Sequence, residues 1–452
     1  MSGASIDLLE QAVAFLAVFT LGISVAVYLL MDLRHRQQLQ RQARRVTLAA
    51  HLIPPLTPQA LHTLWSRCNR ASRKILEEIL TDRCRLAEGE ERSGAAQFLM
   101  GIGIYDRWLQ EIRQGRKSRR AQAARKLGYV HDRRGVEALV AAAGDSYALV
   151  RLAVALSLGR LKDPAGLPGL IHLAQGRTKT IPDLTLAAAL AACAEGCSSL
   201  IAGLLRAPHV QTRVIGAWAL SEVADVTSLP ALSDAIRDPD PEVRAKVARA
   251  LGRVPEERSL NLLSALARDP VPFVRVRALD ALGKQKSSAA EPLVLGGLDD
   301  HMPEVRNRAA AALRQIYGMK AGLIAKVHAA GSRRNFNNLI SEWERAGFLH
   351  ILVAGLTTRD WARFVETQGT IRVLIAAGMT QALVNMVLVF PGVKVRLRLL
   401  RLLVGEPRAN VMADLQALIG RPGCDPRVAQ AIRKVAVMIP PISGANIESD
   451  LV

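Results

Sequence analysis

Apolar residues recur along this chain with the period of a helix, and the pattern itself recurs at a longer step. The segments VRLAVALSLG from Val150, TRVIGAWALS from Thr212, VRAKVARALG from Val243, VRVRALDALG from Val274 and VRNRAAAALR from Val305 align without gaps, their starts 31 residues apart or, once, twice 31. One step before Val150 lies RRAQAARKLG from Arg119, and the missing unit begins IPDLTLAAAL at Ile181. Apolar or small residues fall at the first, fifth, eighth and ninth positions of a unit, one stripe of a 3.6-residue helix. A turn signal precedes it: RDPDPE over 237–242 and RDPVPF over 268–273 place an Asp acceptor before a Pro suited to a first helical turn. After it come a Gly in most units, a break such as Lys162-Asp163-Pro164, and a second apolar helix such as GLPGLIHLA from Gly166. Each unit is predicted to be helix, turn, helix. Neither helix can bury its stripe alone, so the units must stack on one another.

These residues resemble HEAT repeats of the roughly 30-residue type first named from phycobilin lyases, whose signature is D-P-x-V-R-x-x-A-x-x-A-L-G. The match is strong at Asp238–Gly252 and Asp269–Gly283, moderate at Asp145–Gly159 and Asp300–Leu313, and weak at Ile181, where Pro182 replaces the Arg. The resemblance covers about 119–318 and implies an all-α solenoid, a fold that serves unrelated roles. The expected product is a curved rod with a concave face lined by the second helices.

The expected organisation is a short extracytoplasmic N-terminus (1–10), a transmembrane helix (11–31), a basic juxtamembrane helix and linker (32–56) and a helical N-terminal cap (57–115). Regular repeats follow over 116–320, divergent repeats and a C-terminal cap over 321–439, and a disordered tail over 440–452. The cap is read from Thr57 as an N-cap with Pro58 in the first turn. The apolar run 371–390 is read as repeat, because Arg372, Gln381 and Asn385 interrupt it and Gly378 falls at the expected turn.

The run AVAFLAVFTLGISVAVYLLM before Asp32 carries no charge and has the ~20 residues that cross a ~30 Å hydrocarbon layer. Asp7 and Glu10 precede it, while Arg34, Arg36, Arg41, Arg44 and Arg45 follow. The positive-inside bias therefore predicts a single pass with the N-terminus outside and the solenoid in the cytoplasm. A cleaved signal peptide would want a basic n-region and a shorter apolar run.

Aromatics are 4% of the chain while all hydrophobic residues reach 50%, so the core must be built mainly from Ala, Leu and Val. A net charge of +20 asks for an anionic partner or surface. The five cysteines show no CxxC pair; Cys193 and Cys197 share a helical spacing, but without a His or a second pair they are read as small core residues. The sequence contains no P-loop, G-x-S-x-G or HExxH, so no catalytic, cofactor or metal residues are assigned.

The regular Arg at the second position of each unit (Arg120, Arg151, Arg213, Arg244, Arg275, Arg306) is read as a structural ladder, pairing with the Asp of its own or the adjacent turn. The fourth, seventh and eleventh positions share another face that the core does not require. There the candidate partner groove comprises Leu156, Leu184, Ile215, Trp218, Lys246, Arg249, Arg253, Arg277, Lys284 and Arg308, changing from apolar to basic midway. A further basic cluster runs from Arg113 to Lys126. The expected function is a membrane-tethered cytoplasmic scaffold binding a protein, which could itself be a membrane protein, along that concave face. Anionic lipid is an alternative occupant of the basic surface. A nucleic-acid-binding solenoid ranks second, and a bilin-lyase-like enzyme, as the resemblance would suggest, third.

Overall fold

The computed structural model describes residues 3–50, 58–176, 181–317, 323–324, 327–328, 333–405, 409–419, 421 and 424–438, without the side chains of 3–19, 22, 58, 60, 333–334, 409–410 and 437–438. The expected disordered tail 440–452 and the predicted cap residue Thr57 lie outside them. Among the described residues there is helix but no strand. The chain divides into two compact units, Met1–Glu195 and Gly196–Val452.

The first unit opens with α1 (Gly3–Ala50), α2 (Pro58–Arg67), α3 (Arg70–Leu86), α4 (Gly89–Gly101) and α5 (Ile104–Gln114). Three pairs of helices follow the predicted step: α6 (Lys117–Leu127) with α7 (Arg133–Ala141), α8 (Ala148–Leu161) with α9 (Leu167–Gln175), and α10 (Asp183–Cys193), whose second helix belongs to the next unit. The first helices α6, α8 and α10 stack side by side. Buried Leu76, Leu80, Leu99, Tyr105 and Trp108 form the core of the N-terminal part.

Among the described residues no helix is long and apolar enough to cross a membrane. This overturns the expectation of a membrane pass, with its outside N-terminus and cytoplasmic solenoid. Residues 11–19 and Gly22 of the expected span lie outside the described side chains. The helix then runs unbroken through the basic segment to Ala50. Its arginines, expected beside a membrane, instead meet protein: Arg41 and Arg45 pair with Glu78 and Asp82 of α3 at 2.6 and 2.7 Å, and Arg36 pairs with Asp32 of its own helix at 2.8 Å. Arg34 and Arg44 are exposed.

The second unit begins with α11 (Ser199–Ala202) and continues through α12 (Val210–Val223), α13 (Leu229–Ala235), α14 (Pro241–Leu251), α15 (Glu257–Leu266), α16 (Pro272–Gln285), α17 (Glu291–Gly296) and α18 (Pro303–Tyr317). Beyond these lie α19 (Arg333–Arg345), α20 (Phe348–Ala354), α21 (Trp361–Ala376), α22 (Thr380–Val389), α23 (Val393–Val404), α24 (Ala409–Leu418) and α25 (Pro426–Met438). The first helices α12, α14, α16, α18 and α19 again stack in order. The apolar run 371–390 is broken by Gly378, whose φ of +83° places it in the left-handed region between α21 and α22.

The Gly that closes most units is a packing requirement. A Cβ on Gly159 would stand 2.8 Å from that of Ala189, and one on Gly252 would stand 2.8 Å from that of Ala281. Neighbouring first helices thus approach closely enough that only hydrogen fits there. At the ends of α8 and α16 the chain instead turns on Lys162 and Lys286, whose φ values of 54° and 52° put a side chain in the left-handed region.

Candidate interaction surface

The repeated Arg and the Asp of the turn form a two-sided clamp. Arg244 Nε and Nη2 donate to Asp269 of the next turn at 2.7 and 3.0 Å, while Nη1 donates to the carbonyls of Asp238 and Pro239 in its own turn at 2.7 and 3.2 Å. Arg213 holds Asp238 in the same way, Arg275 holds Asp300, and in the first unit Arg120 holds Asp145. Each Asp also accepts from the backbone N–H two residues on, at Tyr147, Asp240, Val271 and Met302, so one carboxylate fixes the turn before its own helix and receives the preceding repeat. Burial pushes the Asp145 and Asp300 carboxyls up, but the hydrogen bonds from Arg120 and Arg275 and from the turn N–H outweigh it and hold both below the ordinary value.

Arg151 and Arg306 keep the half of the clamp that faces their own turn, through Asp145 and Ser146 and through Asp300 and His301. Twenty-five residues beyond Arg151, where the next Asp would stand, is Gly176, and at Ile181 the Arg position itself is Pro182. The corresponding position beyond Arg306 lies outside the described residues.

The fourth and seventh positions sit on the first helix of each pair, not on the second helices expected to line the concave face, and Arg253 at an eleventh position lies in the turn just after α14. They are organised by a second register rule: the seventh position of one first helix meets the fourth of the next, 28 residues on. Lys246 Nζ lies 4.1 Å from the centre of the Trp218 ring, and Arg308 pairs with Asp280 at 3.0 Å. Arg249 at a seventh position pairs with Glu222 at the preceding eleventh. Lys246 and Lys284 also pair within their helices, with Glu242 at 2.9 Å and Asp280 at 2.8 Å. Arg253 and Arg277 are exposed and, among the described residues, make no ion pair.

In the first unit the same two positions are filled by Leu156 and Leu184, with 43% and 57% of their surface exposed. Leu149, two turns before Leu156 on α8, is 46% exposed. Ile215, expected in the groove, is instead buried at 4% exposure. The cause is Gly216 beside it: a Cβ there would lie 2.6 Å from Leu204 Cβ, and this close approach draws that turn of α12 into the core. Trp218 is half-buried beneath Lys246.

The repeat pattern gave no sign of a buried centre in the N-terminal part. Glu77 of α3, 7% exposed, accepts from Trp108 Nε1 at 3.0 Å, from Lys126 Nζ at 2.8 Å and from Arg107. Burial raises its carboxyl, yet the donors from Lys126, Arg107 and Trp108 together hold it below the ordinary value. The available signal was its place on the stripe Glu77, Leu80, Thr81, Cys84, all buried. Lys126, expected in the exposed basic cluster, is therefore a structural residue, and so is Arg120; Arg113, Arg116, Arg119 and Arg125 are exposed.

Residues 105–191, 198–275 and 261–325 match the family model of HEAT repeats. The match is to HEAT repeats in general and lends no support to the phycobilin-lyase type. No curated protein matches the chain. Among solved structures, an engineered protein is similar over 84% of this chain and 98% of its own, at 18% identity and a TM-score of 0.31. YibA of Escherichia coli is similar over 58% of this chain and 97% of its own, also at 18% identity and 0.31. Human deoxyhypusine hydroxylase, solved with glycerol, is similar over 62% of this chain and 99% of its own, at 17% identity and 0.25. Likenesses this slight carry no argument about function. The matched stretches, a little under half of the chain, are similar to HEAT repeats, and among the described residues the fold is all-α.

Proposed function

We propose that this protein is a scaffold that binds a partner protein on the outward face of its stacked first helices. The observation that carries this reading is the exposure of Leu149, Leu156 and Leu184 at 46%, 43% and 57%. Leu156 and Leu184 occupy the two positions that the second unit fills with a cation over an aromatic ring or with an ion pair. Large aliphatic side chains on a row that tolerates charge gain nothing for the monomer, whereas they supply the dry centre that a protein interface needs. The close approach of α8 and α10 at Gly159 and Ala189 keeps these helices in fixed register, so the face is presented preformed and little ordering cost falls on binding. A net charge of +20 favours an acidic partner and speeds its encounter.

The test is the Leu156→Asp, Leu184→Asp double variant. A photo-crosslinker placed at Leu149 of the parent should trap a discrete partner, and the double variant should lose that product while keeping the parent's helical content and unfolding midpoint. A crosslinked product undiminished in the folded variant would remove the scaffold reading.

A further inference from the structure

The register rule that pairs the seventh position of one first helix with the fourth of the next is satisfied within the second unit at Trp218 with Lys246 and at Asp280 with Arg308. Between them it fails. The intervening pair is Arg249 and Arg277, two like charges, on helices α14 and α16 that stack directly on each other. Arg249 turns back to Glu222 and is still 49% exposed, while Arg277 and the adjacent Arg253 are exposed and have no ion pair among the described residues. Among the described residues, the ion pairs that Lys246, Arg249, Arg253, Arg277, Lys284 and Arg308 form are with Glu222, Glu242 and Asp280. Two arginines placed where the repeat elsewhere puts compatible partners cost the free protein some repulsion, and an external anion would relieve it.

We infer that the gap between Arg249 and Arg277, with Arg253 beside it, is a clamp for carboxylates of an extended acidic segment of the partner protein. This rests on the scaffold reading and names the chemistry of the partner at the second unit. The guanidinium fork suits a planar carboxylate, which it can hold by two parallel hydrogen bonds. The spacing suits an extended chain. Stacked helices lie about 8–10 Å apart, and an extended segment in the polyproline II form, with three residues per turn at about 3.1 Å each, puts side chains three residues apart on one face about 9 Å from each other, so an acid at every third residue meets one repeat after another. Trp218, half-buried under Lys246, offers an apolar edge at one end of the row, where an aliphatic residue between the acids can rest.

The experiment uses the full chain and a fluorescein-labelled peptide of about twelve residues with Glu at every third position, long enough at ~3.3 Å per residue to cross several repeats. Binding is read by anisotropy at about 0.15 M salt. Two variants carry the same change of net charge: Arg253→Glu with Arg277→Glu on the face, and Arg113→Glu with Arg116→Glu on exposed residues of the first unit. The face variant should bind at least about tenfold more weakly than the parent, while the control stays within about threefold. Equal loss in both variants would reduce the binding to net charge and overturn the clamp, as would binding unchanged in the face variant. A single-stranded oligonucleotide measured in parallel decides the competing class: if it binds more tightly than the peptide and depends on the same two arginines, the face belongs to nucleic acid. None of these results bears on the crosslink at Leu149, so a failure of the acidic-segment assignment is distinguishable from a failure of the scaffold reading.

Discussion

Two stretches of the same repeat solve the problem of joining neighbours differently. From Arg213 to Asp300 every repeat is clamped to the next by a bidentate Arg–Asp pair, and the adjoining face is stitched by charges. Around Arg151 the repeat's own residues change: Gly176 stands in the place of the Asp, Pro182 in the place of the next Arg, and the adjoining face carries Leu156 and Leu184. Stacking persists through this change, because α8 and α10 still meet at Gly159 and Ala189. Apolar contact therefore builds the repeat, and the Arg–Asp pair adds rigidity and register.

That contrast can be broken most sharply at a clamp. Arg275→Ala strands the nearly buried Asp300 and should cost about 3 kcal/mol in denaturant unfolding, whereas Arg206→Ala, which removes an exposed ion pair with Asp234, should cost under about 1 kcal/mol. Packing comes next. Gly252→Leu must force α14 away from Ala281 and should cost about 2 kcal/mol, read as a lower unfolding midpoint. A smaller effect of opposite sign is expected at the left-handed turns: Lys162→Gly or Lys286→Gly relieves a positive φ and should gain about 1 kcal/mol.

Acid sharpens the same comparison. The Asp300 carboxyl titrates below its ordinary value in the folded protein, so the unfolded chain takes up that proton first as pH falls. Its stabilising contribution is complete above the ordinary carboxylate range and is lost as pH drops through the lower folded value. Asp300→Asn should flatten the acid limb of the stability profile.

Much of this was legible in the sequence, because a repeat displays its own rules. An Arg and an Asp recurring at a constant offset announce the clamp, and the apolar stripe locates the helices. The 28-residue register was harder to see, since it depends on how far each helix is shifted along its neighbour. Ile215 shows the consequence: in the helix pattern alone it shares a face with Trp218, but the approach of Leu204 to Gly216 buries it. Glu77 was hidden for another reason, as its donors lie 30 to 49 residues away, Arg107 and Trp108 in non-repeating sequence and Lys126 at a position that the other repeats do not share. The expected membrane span failed at the level of the whole helix. An apolar run suggested a crossing, yet α1 continues through its charged half to ion pairs on α3.

The most direct test of the clamp as the joint between repeats is a double-mutant cycle on Arg244→Ala and Asp269→Ala, measured by denaturant unfolding. A coupling of about 2 kcal/mol is predicted for a desolvated bidentate pair across two repeats. A coupling within error of zero would contradict the account, leaving apolar stacking alone to hold the repeats in register.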